Sequence, residues 1–207
     1  MSETGMLPNI VSHSLQVCHV AALLAEHLEK GGIKLDQDLV CASALLHDIT
    51  KTRCLKTGEK HDLSGSELIL RMGYPEVAYI IGRHVVLETD FQSDKPAEVE
   101  IVNYADKRVL HDRIVSLRAR MDDIIARYAK HPIDKELICQ NWLRVEKIEK
   151  KLFGFLPFPP EELHLRIGSD VLPQAIKEYH ALCAEVSDQP LSISFDEFPS
   201  IKVDCPI

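Results

Sequence analysis

The 207-residue sequence predicts an all-α domain over residues 8–152 and a smaller C-terminal appendage over 153–207. Three observations carry that expectation. Apolar residues recur at helical spacing along most of the chain. Stop signals at Gly31-Gly32, Gly73-Tyr74-Pro75 and His131-Pro132 divide the pattern into helix-sized lengths. No strand-like alternation occurs before Leu191.

The elements follow in order. A first helix is expected from about Ile10 to Lys30, with His13, Val17, Val20 and Leu24 on one stripe. A second runs from about Asp38 to Asp48. Leu39, Val40, Ala42, Ala44, Leu45 and Leu46 leave it almost no polar face, so it is expected at the centre of the bundle. Thr50 to Lys60 reads as a polar loop. Ser64-Gly65-Ser66-Glu67 reads as a capping box opening a short helix to Met72. Pro75 suits the first turn of the next helix, to about Val85, whose stripe Val77, Ile80, Ile81, His84 points inward. A fifth helix begins near Pro96 and carries Val99, Val102, Asp106 and Val109 on one face. Charged helices are expected over Arg113–Lys130 and Asp134–Leu152. Beyond Phe153 come a proline-rich connector, a helix over about Leu172–Val186, and an alternating tail, Leu191–Val203, that reads as a strand or an arm.

Composition narrows the partners. Hydrophobic residues at 45% and charged residues at 27% suit a packed globular chain. A formal net charge of −8 argues against a nucleic acid polymer or an anionic membrane as partner. It leaves room for a small anionic substrate, because a metal and a few basic side chains can make a positive pocket locally. No apolar run is long enough to span a membrane. The N-terminus lacks the features of a signal peptide. The six cysteines are scattered without CxxC spacing, which fits reduced thiols in the cytoplasm.

The chemistry concentrates at Leu45-Leu46-His47-Asp48-Ile49-Thr50-Lys51. A carboxylate in apolar surroundings costs several kcal/mol, in rough terms, unless a cation or hydrogen bonds neutralise it. His13 and Asp106 pose the same problem on other apolar stripes. For Asp106, a buried salt bridge to Arg113 is the bland alternative; a metal explains both residues together. His13, His47, Asp48 and Asp106 therefore read as one metal site drawn from three helices. His61-Asp62 and His111-Asp112 repeat the dipeptide in polar settings. There Asp62 reads as a helix cap and His111-Asp112 as surface.

A histidine in the first helix, HD within Leu45–Lys51, and Ala105-Asp106-Lys107 in that order resemble the HD superfamily of metal-dependent phosphohydrolases. The resemblance covers residues from about 10 to 130. It implies an HD-type helical bundle in which His13, His47, Asp48 and Asp106 hold a divalent transition metal (Fe, Mn, Ni, Co or Zn). His61 and His84 match the extra histidines of two-metal members. Gly73-Tyr74-Pro75 lacks the surrounding motif of the cyclic-dinucleotide branch and reads as a helix break.

The function expected is hydrolysis of a phosphate ester or anhydride by metal-activated water. Asp48 would bridge two ions, and Lys51 would offset charge on the phosphoryl group. Lys107 and Arg108 are candidates for distal phosphates, with a solvated helix face as the alternative. The Leu45–Lys51 and Ala105–Lys107 stretches are similar to those of HD enzymes that cleave dinucleoside polyphosphates, which implies a nucleotide substrate. Two other functions fit the same residues: a di-iron oxygenase using His61 and His84, and a non-catalytic nucleotide-binding regulatory module. The charged helices and tail leave room for a homo-oligomer.

Overall fold

A computed structural model describes residues 1, 4–87 and 93–186. The expected tail strand, Leu191–Val203, lies outside the described residues. The described residues are mainly helical, as the periodicity predicts.

α1 (Pro8–Lys30) starts with proline at its first turn and ends where the Gly31 N–H bonds the His27 carbonyl, 3.1 Å away. Its buried stripe runs from Ile10 through His13, Val17, Val20 and Leu24 to Leu28. α2 (Gln37–Leu46) is capped by Asp36, whose carboxylate accepts from the Leu39 N–H at 2.9 Å. α2 packs on α1, on α5 (Pro75–Ile81) and on α6 (Glu98–Lys107), which accounts for its lack of a polar face. The Ala97 N–H at the start of α6 is bonded by the Glu100 carboxylate at 3.0 Å.

Four expectations need correction. Residues 50–60 are not a loop: Lys51–Thr57 forms α3, closed by Gly58 at φ 77°. Seven residues make fewer than two turns, too short for an apolar period to register. α4 spans His61–Arg71, so Ser64 lies inside the helix, not at its cap. The Ser64 hydroxyl instead accepts a bond from Arg53. α5 stops at Ile81, and His84 lies just past its end, still buried. Finally, residues 109–114 form a small antiparallel hairpin, β1 (Val109–Leu110) and β2 (Arg113–Ile114), where the sequence reading continued one helix and began another. His111 at its turn has φ 57°, a left-handed conformation unusual for a side-chain-bearing residue.

α7 (Leu117–Tyr128) follows, capped by Ser116, then α8 (Pro132–Phe153), a 3₁₀ turn over Pro160–Leu165, and α9 (Val171–Val186).

Two apolar clusters make the core. The larger joins Val17, Val20 and Leu24 of α1 to Ile101, Val102 and Tyr104 of α6 and to Trp142, Val145 and Ile148 of α8. The smaller joins Ile10 and Val11 to Ile49, Leu68, Ile69, Ala78 and Ile81. His13 lies on α1 between Val11 of the smaller and Val17 of the larger cluster, so the site sits where the two meet. The proline-rich connector is part of this core: Phe158 and Leu163 are buried in the larger cluster, and the Pro160 carbonyl accepts from Arg108 at 2.9 Å.

Leu163 is fully buried. Leu163→Ala should therefore cost about 2–5 kcal/mol of the stability of the whole bundle. Urea unfolding followed by circular dichroism should show one transition shifted to lower denaturant. An unchanged main transition would mean that residues 153–165 fold apart from the bundle.

Candidate metal centre

The site is assembled from helix ends and one hairpin. His47 and Asp48 follow the last residue of α2, and both are fully buried. His84 follows the end of α5, and His61 opens α4. His13 comes from α1 and Asp106 from α6.

Three histidines are oriented alike. The Nδ1–H of His47 donates to the Ala44 carbonyl at 2.7 Å. That of His84 donates to the Ile81 carbonyl at 2.7 Å, and that of His13 to the His111 carbonyl at 2.8 Å. A carbonyl can only accept, so the proton sits on Nδ1 in each ring and a lone pair is left on Nε2.

Those Nε2 atoms all face acceptors. His13 Nε2 is 3.1 Å from Asp106 Oδ1. His47 Nε2 is 3.5 Å from Asp48 Oδ2 and 3.8 Å from Asp106 Oδ1. His84 Nε2 is 3.2 Å from His61 Nε2 and 3.7 Å from Asp48 Oδ1, which lies 3.2 Å from His61 Nε2. Buried His47 Nε2 and Asp48 Oδ1 have no hydrogen bond among the described residues. Lone pairs crowded on lone pairs repel unless a cation lies between them. The donor set, imidazole nitrogen and carboxylate oxygen, is the one that divalent transition metals prefer. The residues fit a metal.

Two donor groups share Asp48. His13, His47 and Asp48 have ligand atoms within 4.8 Å of one another, and so do Asp48, His61 and His84. Asp48 turns Oδ2 toward His47 and Oδ1 toward His61 and His84.

The charges follow. Burial works to raise the Asp48 carboxyl, but the charges of His47 and Lys51 outweigh it and hold the group well below the usual carboxylate range. Burial likewise opposes ionisation of Asp106, and Lys107, His13, His47 and Arg120 overcome it. Burial depresses His47, yet the facing carboxylates lift it above its ordinary value. His84, set beside His47 and His61, is pushed down to about 4, chiefly by burial.

The structure thus brings together His13, His47, Asp48, Asp106, His61 and His84. Lys51 joins them: its Nζ bonds Asp48 Oδ2 at 2.7 Å, with the side chain 28% exposed at the rim. Lys107 and Arg108 are a correction on both counts, because neither lies on a solvated face and neither is free for distal phosphates. Lys107 Nζ is buried on Asp106 Oδ2 at 2.6 Å and on the His84 carbonyl at 2.8 Å. Arg108 points to α8, bonding the Tyr104 hydroxyl and the carbonyls of Val115 and Pro160, beside Glu149. The salt bridge imagined from Asp106 to Arg113 is absent among the described contacts of Asp106. Its cationic neighbours are Lys107 and, at 3.8 Å, Arg120.

Sequence reasoning missed three contributors. His111 acts through its backbone carbonyl. Asn103 Nδ2 donates to the carbonyls of Arg83 and His84 at 3.1 and 2.9 Å, which pins the chain beyond α5. Arg120 was hidden in a charged helix, although a signal existed: it lies on the inward stripe of Leu117, Met121 and Ile124.

A family model described as HD domain matches residues 10–109, the span that carries all six converging side chains. The uncharacterized protein MJ0778 of Methanocaldococcus jannaschii is 30% identical, over 64% of this chain and 86% of that relative. The chain belongs to the HD-domain family. HD domains bind divalent metals and belong to a superfamily of metal-dependent phosphohydrolases. No solved structure matches the chain significantly. No helix among the described residues is long and apolar enough to cross a membrane.

A metal that binds the folded HD centre must stabilise it by mass action. Mn²⁺ at about a hundredfold excess over its dissociation constant should add roughly 2.7 kcal/mol. For a chain of this size that is a rise of about 5–10 °C in the melting temperature. Scanning calorimetry should record the rise in the native protein and lose it in His47→Ala. An equal rise in His47→Ala would place metal binding elsewhere.

Proposed function

We propose that this protein is a metal-dependent phosphohydrolase acting on a phosphate ester or anhydride of a nucleotide. One observation carries the reading. Asp48 is buried with its two oxygens turned to two separate histidine groups, while a rim lysine holds one of those oxygens from the solvent side.

His13, His47, Asp48 and Asp106 would hold one ion; Asp48, His61 and His84 would hold a second. A bound divalent cation lowers the pKa of a water ligand toward neutrality and so supplies the nucleophile. The chain's own groups do the rest. Backbone carbonyls of Ala44, Ile81 and His111 keep the ring lone pairs aimed inward. Lys107 keeps Asp106 ionised. Lys51 stays protonated, since the pull of Asp48 and Asp106 outweighs the effect of its burial. Its ammonium is placed to offset charge that builds on the non-bridging oxygens during attack at phosphorus. The nucleotide class rests on the likeness of Leu45–Lys51 and Ala105–Lys107 to HD enzymes that cleave dinucleoside polyphosphates.

Elemental analysis and a hydrolysis panel of nucleoside phosphates and dinucleoside polyphosphates test the reading. Asp48→Ala should remove bound metal and abolish turnover with the helical circular dichroism intact. Lys51→Ala should keep the metal and lower turnover by about 10²–10³, the loss typical of one transition-state charge stabiliser. Full activity in Asp48→Ala would end the phosphohydrolase reading.

A further inference from the structure

Arg120 lies on α7 with only 9% of its surface exposed. A guanidinium carries five N–H donors and is costly to bury unless they are met. Here they are met on one side only. Nη1 donates to Asp123 Oδ2 at 3.2 Å. Nη2 lies 3.8 Å from Asp106 Oδ1, beyond hydrogen-bond distance. Nε is buried with no partner among the described residues.

The geometry of the group gives these facts a direction. Nε–H and one N–H of Nη2 project side by side from the same edge of the planar guanidinium, the edge that meets paired oxygens. Because Nη2 is the nitrogen nearest Asp106, that unpaired edge lies on the metal-site side. Asp106 does not fill it. Its Oδ2 is taken by Lys107 at 2.6 Å, and its Oδ1 faces His13 at 3.1 Å.

The opposite edge is anchored. Asp123 receives Arg120 on Oδ2 and Arg127 on both oxygens, with Arg127 Nε at 3.0 Å from Oδ1. Asp123 therefore holds the guanidinium in place before any ligand arrives.

We propose that Arg120 is a phosphate clamp of this centre, its Nε/Nη2 edge binding two oxygens of one phosphoryl group. The proposal rests on the phosphohydrolase reading and deepens it. Lys51 approaches the centre through Asp48 and Arg120 through Asp106, so the phosphoryl group is held from two helices, α3 and α7. Arginine suits this position better than lysine, because an ammonium offers a point charge and not a two-pronged edge.

The test is binding of inorganic phosphate to the full-length protein loaded with Mn²⁺, followed by titration calorimetry, with metal content measured on the same samples. R120Q should retain its metal and bind phosphate about ten- to hundredfold more weakly, the span expected for hydrogen bonds to a charged group. R120K keeps the charge without the paired edge and should fall between R120Q and the native protein. It carries the test if R120Q fails to fold. Native affinity in either variant would overturn the clamp and leave the phosphohydrolase reading standing. Loss of metal in R120Q would also overturn it, because Arg120 would then be positioning Asp106. If the native, metal-loaded protein bound no phosphate, both the clamp and the phosphohydrolase reading would fall.

Discussion

A buried lone pair facing a lone pair is the constraint on which the rest of this structure depends. Asp48 is fully buried, and the imidazole nitrogens turned toward it have their protons committed elsewhere. Burying such a set costs several kcal/mol in rough terms unless a cation or hydrogen bonds offset it. A cation reverses the sign of every contact. The helices around it then act as a frame that holds like against like until the cation enters.

The frame uses one local device twice. His47 and His84 each sit just beyond a helix C-terminus and donate Nδ1–H to a carbonyl three residues back. Carbonyls of a last helical turn have no helical partner, so the helix end supplies an acceptor at no cost to the ladder. The ring is thereby turned with Nε2 outward from its own helix and into the bundle. His13 sits in mid-helix and has no such carbonyl. The chain provides one from the β1–β2 turn, where His111 adopts φ 57°. Backbone strain there is tied to orientation of a site histidine.

This division explains what was legible in the sequence. His13, Asp106 and the His47-Asp48 pair stood out because polar residues on apolar stripes are anomalous, and helical periodicity puts their faces on record. His84 is buried as its stripe predicts, but not as part of a helix: α5 ends at Ile81, and Asn103 and Lys107 then hold the His84 carbonyl. What periodicity cannot encode was lost. α3 is too short to repeat, and the hairpin is two residues a side. Lys107 and Arg108 misled because adjacent helical residues diverge by roughly 100°. Lys107 turns to Asp106 and His84, Arg108 to α8. Arg120 reads as one more charge on a charged helix unless the apolar stripe beside it, Leu117, Met121 and Ile124, is given weight.

The charge balance of the centre points the same way. Two carboxylates at the centre, Asp48 and Asp106, face three cationic side chains, Lys51, Lys107 and Arg120. A centre that merely stored a divalent ion would gather carboxylates to neutralise it. This one meets each of its two carboxylates with basic side chains, and so keeps both ionised without cancelling the charge an ion would bring. Any bound divalent cation therefore leaves a local excess of positive charge, inside a chain whose formal net charge is −8. In a site of low dielectric that excess is poorly screened. It is relieved by an anion that can present oxygens to Lys51 on one side and Arg120 on the other. A phosphoryl group has the charge and the oxygen count to do both, which is why the chemistry proposed for this centre follows from its imbalance as much as from its ligands.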